Sequence, residues 1–156
     1  MSLARTRLRK GYVVSISGRT ILLVDDEPYL TEIVSRGLQK AGATVLIERN
    51  GEDMCRIAEA NRPDLIITDY QMPVLDGFAA SKRLKQNPTT ADIPVILLTA
   101  RGHRLADSEL TQTNICCILP KPMSVKQLLA QVERLLGSAV QAAPALAGNP
   151  VGAIVK

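Results

Sequence analysis

The stretch ILLVDDEPYL, residues 21–30, decides how this chain is read. Ile21, Leu22, Leu23 and Val24 form a short unbroken apolar run, the pattern of a strand buried on both faces. A buried strand ordinarily exits into Gly, Ser or Asn. Here Asp25, Asp26 and Glu27 come at once, and their mutual repulsion costs free energy unless something offsets it.

Outward from that stretch, apolar runs alternate with amphipathic ones. Pro28 suits the first turn of a helix, where its missing N–H costs nothing. Leu30, Ile33, Val34 and Leu38 recur at helical spacing, and Gly42 marks the stop. Thr44–Ile47 reads as a second strand. Asn50 caps a short helix carrying Met54, Ile57 and Ala58. Leu65–Thr68 is a third strand ending at Asp69, and a helix is expected from Gly77 to Gln86. Val95–Leu98 is a fourth strand ending at Thr99. The segment 104–113 is expected to be helical, on weak periodicity. Ile115–Leu119 is a fifth strand ending at Lys121. Ser124 and Gln127 make a capping box for a last helix through Leu136.

Five βα units with continuous apolar strands imply an α/β fold, a parallel sheet covered by helices on both faces. The core domain is set at residues 20–137. Residues 1–19 form a basic arm, and Tyr12–Ile16 is left open between part of that arm and an extra edge strand. From Gly137 the composition turns to Ala, Gly, Pro and Val, which predicts a tail or linker over 138–156.

The strand ends answer the question posed by the acids. In open parallel sheets the functional crevice lies at the carboxyl ends of the strands. Asp25, Asp26, Asp69, Thr99 and Lys121 all fall there, from four strands. Three carboxylates together call for a cation. Mg²⁺ is suited, because it prefers a few carboxylates plus waters and phosphate oxygens.

These residues resemble the receiver domains of two-component response regulators. The resemblance covers residues 20–137 and rests on VDDE at 24–27, DYQMPVLDG at 69–77, LLTA at 97–100 and LPKP at 119–122. It implies a flavodoxin-like, doubly wound sheet of order 2-1-3-4-5 with five helices. It implies that Asp69 accepts a phosphoryl group from a histidine kinase or histidine phosphotransfer protein. Asp26, Asp69 and the Gln71 backbone carbonyl would ligate Mg²⁺ or Mn²⁺, with Asp25 acting through water. Thr99 and Lys121 would bind the phosphoryl oxygens. The Lys121-Pro122 bond is usually cis in the family, and Gln71 and Arg101 stand where hydrolysis is tuned. The last two strands and helices would meet a second copy or a downstream protein. The family's aromatic switch position holds Ile118 here, which reads as a plain core residue.

Composition excludes other classes. No run reaches the ~20 apolar residues of a membrane span, and no secretory leader is evident, so a cytoplasmic protein is expected. The net charge is +4, yet Arg5, Arg7, Arg9, Lys10 and Arg19 sit in an acid-free arm, leaving 14 basic residues against 15 acids. Aromatics at 3% argue against base stacking on nucleic acid. The tail is too short for a DNA-binding domain. Cys55, Cys116 and Cys117 lack CxxC spacing and read as small buried hydrophobes. His103, the single histidine, is expected in a loop. An aspartate-nucleophile phosphohydrolase would need an acid at position 71, which is Gln. No GxGxxG or P-loop supports a nucleotide-binding module. The chain is expected to be a phosphoacceptor that assists its own phosphorylation and dephosphorylation, and not a turnover enzyme. It stands alone, or is excised from a longer regulator or hybrid kinase, or is a phosphorylation-independent module of the same fold.

Overall fold

The computed structural model describes residues 16–100 and 103–142. In chain order the elements are β1 (Thr20–Val24), α1 (Pro28–Lys40), β2 (Thr44–Glu48), α2 (Gly51–Asn61), β3 (Leu65–Asp69), α3 (Gly77–Gln86), β4 (Val95–Thr99), α4 (Asp107–Leu110), β5 (Ile115–Pro120) and α5 (Val125–Ala142). The five strands are parallel and ordered β2-β1-β3-β4-β5.

Handedness distributes the helices. The β1-to-β2 connection runs one way along the sheet, and the next three run the other way. Right-handed crossovers therefore put α1 on one face and α2, α3 and α4 on the opposite one. The core divides accordingly. Ile21, Leu23, Ile67, Ile96 and Leu98 pack with Val34 and Leu38 of α1 and Leu128, Val132 and Leu136 of α5. Leu22, Val24, Ile66 and Val95 pack with Met54, Ala58, Ala80 and Leu84 of α2 and α3. The central strands are buried on both sides, as continuous apolar runs require. Burying each such Leu or Ile contributes roughly 1.5–3 kcal/mol.

Local signals set the boundaries. Pro28 opens α1. At its end Gly42 takes φ +104°, and the Ala43 N–H reaches back to the Leu38 carbonyl at 3.1 Å. Asn50 caps α2 by accepting from the Asp53 N–H at 2.8 Å, and Asp76 caps α3 by accepting from the Ala79 N–H at 2.7 Å.

Four expectations need correction. The helix predicted over 104–113 is one turn, Asp107–Leu110, with no buried residue. Its N-cap, Ala106, has no side chain to accept a first-turn N–H, so nothing anchors a longer helix. The last helix does not stop near Gly137 but continues to Ala142. Gly137 is buried against the core, and the sequence after it contains helix-forming Ala. Cys116 is exposed, not a buried hydrophobe. β5 is an edge strand, and Val95 and Ile96 pair with Ile115 and Cys117, so Cys116 is an extra, bulged residue. Ile118 is half-buried and belongs to neither core cluster. By strand alternation it lies on the α4 face, which a four-residue helix covers poorly.

The basic arm over 1–15, Arg101 and the tail from 143 lie outside the described residues. So does most of the open strand segment, except Ile16, which is buried in the core. Among the described residues no helix is long and apolar enough to cross a membrane.

Candidate functional site at the carboxyl ends of the strands

The sheet ladder carries on one step past three strands and so fixes the residues just beyond them. The Asp25 N–H donates to the Glu48 carbonyl at 3.1 Å, the Tyr70 N–H to Leu98 at 2.8 Å, and the Lys121 N–H to Thr99 at 2.7 Å. These bonds bring β1, β3, β4 and β5 to a common edge. One carboxylate oxygen from each of Asp25, Asp26 and Asp69 lies within 4.8 Å of the others. Asp25 and Asp69 are buried and Asp26 is exposed, so the cluster opens to solvent on one side.

Lys121 stands among these acids. Its Nζ is 3.2 Å from Asp25 Oδ2 and 3.1 Å from Asp69 Oδ1. The other Asp25 oxygen accepts from the Glu27 N–H at 2.9 Å. Asp25 thus has both oxygens engaged, with its side chain 1% exposed. One ammonium cannot offset two carboxylates. Burial pushes the Asp69 carboxyl above its ordinary range; the Lys121 hydrogen bond opposes this and the Asp25 charge adds to it. For Lys121, burial lowers the ammonium, but its bonds to Asp69 and Asp25 and their charges outweigh that and raise it.

Thr99 is buried at the end of β4, beside Lys121 through the shared backbone bond. The Lys121-Pro122 peptide is cis. Gln71 lies in the exposed loop between Asp69 and α3. In that loop Val74 has φ +71°, and the Leu75 N–H closes on the Pro73 carbonyl at 2.7 Å. Positive φ at a β-branched residue is strained, typically by ~1–3 kcal/mol.

Two features escaped the sequence patterns. Gly77 is more than a turn feeding α3. A Cβ there would run into the Asp69 carbonyl oxygen, and the Gly77 N–H donates to the Tyr70 carbonyl at 2.7 Å. The signal was a glycine opening a helix shortly after the acid-bearing strand. Tyr70 also has partners: its ring stacks on Phe78 at 6.4 Å and meets the edge of His103 at 4.4 Å. His103 is in a loop, as expected, but not alone there.

The donors are hard oxygens, the kind Mg²⁺ takes. One oxygen from each of Asp25, Asp26 and Asp69 lies within 4.8 Å of the others, close enough for a single hard cation to be held among them, directly or through water. On donor type and spacing, the residues fit the ion.

Known proteins of similar sequence and shape share this frame. The model of the response regulator receiver domain matches residues 21–133. The chain is 33% identical over 119 residues to the phosphate regulon transcriptional regulatory protein PhoB of Pseudomonas aeruginosa, covering 76% of this chain and 52% of that one. It is 37% identical over 116 residues to the DNA-binding dual master transcriptional regulator RpaA of Synechocystis, covering 74% and 48%. The chain spans about half the length of the curated relatives it matches. Among solved structures, the receiver domain of a Pseudomonas aeruginosa sensor histidine kinase aligns with a TM-score of 0.69 at 30% identity, covering 78% of this chain and 99% of that one. That structure has magnesium coordinated in its active-site cleft. The chemotaxis response regulator CheY4 of Vibrio cholerae aligns equally well, TM-score 0.69 at 29% identity, covering 75% and 98%. With the strand order, the acid cluster and the family match in agreement, the chain belongs to the response regulator receiver domains of two-component signalling.

Proposed function

We propose that this receiver domain is a phosphorylation-dependent switch whose phosphoacceptor is Asp69. The observation carrying the reading is the Asp69 carboxylate clustered with Asp25 and Asp26 and touched by Lys121. An Asp69 oxygen attacks the phosphorus of a phosphohistidine on a histidine kinase or phosphotransfer protein. The new O–P bond replaces the N–P bond, and the imidazole nitrogen keeps the electron pair and takes up a proton. Asp26, Asp69 and the Gln71 carbonyl would hold Mg²⁺, with Asp25 acting through water. When bound, the ion offsets charge on the transferring phosphoryl group.

Lys121 supplies a point charge for one phosphoryl oxygen, and Thr99 a hydroxyl for another. Phosphorylation adds roughly −1.5 to −2 charge. Charge-assisted bonds contribute ~1.5–3 kcal/mol each, so two give ~3–6 kcal/mol. A shift from mostly off to mostly on takes ~5.5 kcal/mol. The site is strong enough to act as a switch, with a narrow margin. Self-assisted phosphorylation from a small donor and self-assisted hydrolysis follow from the same residues, without turnover of a separate substrate.

The test is incubation with acetyl phosphate and Mg²⁺ followed by intact mass. A gain of one phosphoryl group, absent in Asp69→Asn, is expected. No gain in the wild type would overturn the reading.

A second reading concerns the whole protein. The chain spans about half of its curated relatives, which favours a receiver belonging to a longer regulator or hybrid kinase. The full open reading frame decides that.

A further inference from the structure

The aromatic ring expected at the switch position is replaced by Ile118, yet the site has rings of its own. Tyr70 directly follows Asp69. Its N–H is tied to Leu98 at 2.8 Å and its carbonyl receives the Gly77 N–H at 2.7 Å. Both ends of the residue are therefore locked, one to β4 and one to α3, and the ring is a fixed platform. Phe78 of α3 stacks parallel to it, at 6.4 Å and 12°. His103 meets it nearly at right angles, at 4.4 Å and 68°. That separation is at the short limit of favourable edge contacts, which are worth ~0.5–1.5 kcal/mol beyond burial.

His103 is not an independent surface residue. Its N–H donates to the Ala100 carbonyl at 3.1 Å, so its place is set by the backbone immediately after Thr99. Burial, and then the charges of Asp76 and Glu109, hold the Tyr70 hydroxyl above its ordinary range. Tyr70 thus touches both α3, through Phe78, and the segment after Thr99, through His103. Ile118 lies outside the core clusters and has no ring to offer.

We infer that Tyr70 and His103 are positioning residues that couple the state of Asp69 to the segment between β4 and β5. The inference rests on the proposed phosphorylation of Asp69. When Thr99 is drawn toward the phosphoryl group, the Ala100 carbonyl next to it moves too, and His103, whose N–H is bonded to that carbonyl, follows. The imidazole then changes its seat on the fixed Tyr70 ring, and α4 moves in turn. The signal leaves through β3 and the loop after β4, not through a ring on β5.

His103 is the single histidine in the chain, so its imidazole proton resonances are directly assignable. The experiment compares wild type, Tyr70→Phe, Tyr70→Leu and His103→Ala, each with acetyl phosphate and Mg²⁺. Intact mass first scores phosphoryl uptake. Proton NMR then reads the imidazole, and hydrogen exchange reads residues 103–113. In the wild type and Tyr70→Phe, phosphorylation should shift the imidazole resonances and change exchange over 103–113. Tyr70→Leu and His103→Ala should take up the phosphoryl group at the wild-type rate yet lose most of that exchange change. An undiminished exchange response in His103→Ala, whose exposed side chain is safe to remove, would overturn the coupling. So would a phosphorylated wild type whose imidazole resonances do not move. A wild type that gains no phosphoryl mass would instead overturn the proposed function, and the coupling with it, at the first step.

Discussion

Gly77, the first residue of α3, lies so close to the Asp69 backbone carbonyl that no side chain fits between them. The helix start and the acid-bearing strand end are thereby built as one piece. A methyl group at Gly77 must push Asp69 or α3 aside, and overpacking of this kind costs ~1–3 kcal/mol. Gly77→Ala is therefore expected to lower the urea midpoint and to slow phosphoryl uptake from acetyl phosphate more than Mg²⁺ affinity. Wild-type stability and rate would contradict the contact.

Lys121 holds apart two acids that otherwise face each other. Lys121→Met should cost ~1–3 kcal/mol in metal-free urea denaturation, because two buried carboxylates lose a charged partner. Mg²⁺ at ten times its dissociation constant should stabilise the wild type by about 1.4 kcal/mol. At that same Mg²⁺ concentration the gain in Lys121→Met should be larger, since the ion no longer competes with an ammonium and binds more tightly. An equal or smaller gain would show that Lys121 and the metal do not share the site.

The pH dependence of the metal-free protein has a definite sign. Burial raises the Asp69 carboxyl, against the Lys121 bond and with the Asp25 charge. The folded state then binds this proton more tightly than the unfolded chain, whose carboxyl titrates near ~3.9. The associated stability is full below that value and is lost as pH rises through the higher folded value. Wild-type stability minus that of Asp69→Asn should fall as pH rises from about 4 and then level off. Urea melts across that range, without metal, measure it; a flat difference would contradict the burial argument.

The three thiols should separate by reactivity. Cys116 is exposed on the β5 bulge and should be alkylated first by iodoacetamide at neutral pH. Cys55 and Cys117 are half-buried. Burial raises both thiols, while Arg83 and Arg134 respectively pull them back. Less thiolate at a given pH means slower attack. Peptide mapping against time should give Cys116 well ahead, and simultaneous labelling would place the bulge elsewhere.

α4 is half capped. The Glu109 carboxylate accepts from the Ala106 N–H at 3.0 Å, but Ala106 has nothing to return. Ala106→Ser completes the capping box and should stabilise the helix by ~0.5–2 kcal/mol. Slower amide exchange over 107–111 would register it.

How much of the molecule was readable from the residues alone depends on what each element hides. The strands announced themselves because burial on both faces demands unbroken apolar runs, as at 21–24 and 65–67. The cluster was readable because Asp25, Asp26, Asp69 and Lys121 each end such a run. α4 was overextended because a helix that buries nothing leaves no periodicity to measure. α5 was cut short because Gly137 looks like a terminator but is packed inside. The bulge at Cys116 was invisible, since one extra residue in an edge strand has no compositional mark. The approach of Gly77 to Asp69 is a relation between backbones, which side-chain patterns do not record.

The ion pair between Lys121 and Asp25 joins positions 96 residues apart. A contact so distant in the chain requires the closure of a long loop, whose entropic cost the intervening strands share. A molecule whose fifth strand has not docked has no ammonium at the mouth of its sheet and no neighbour for Thr99. The complete site therefore exists only in molecules whose fifth strand has docked beside the fourth.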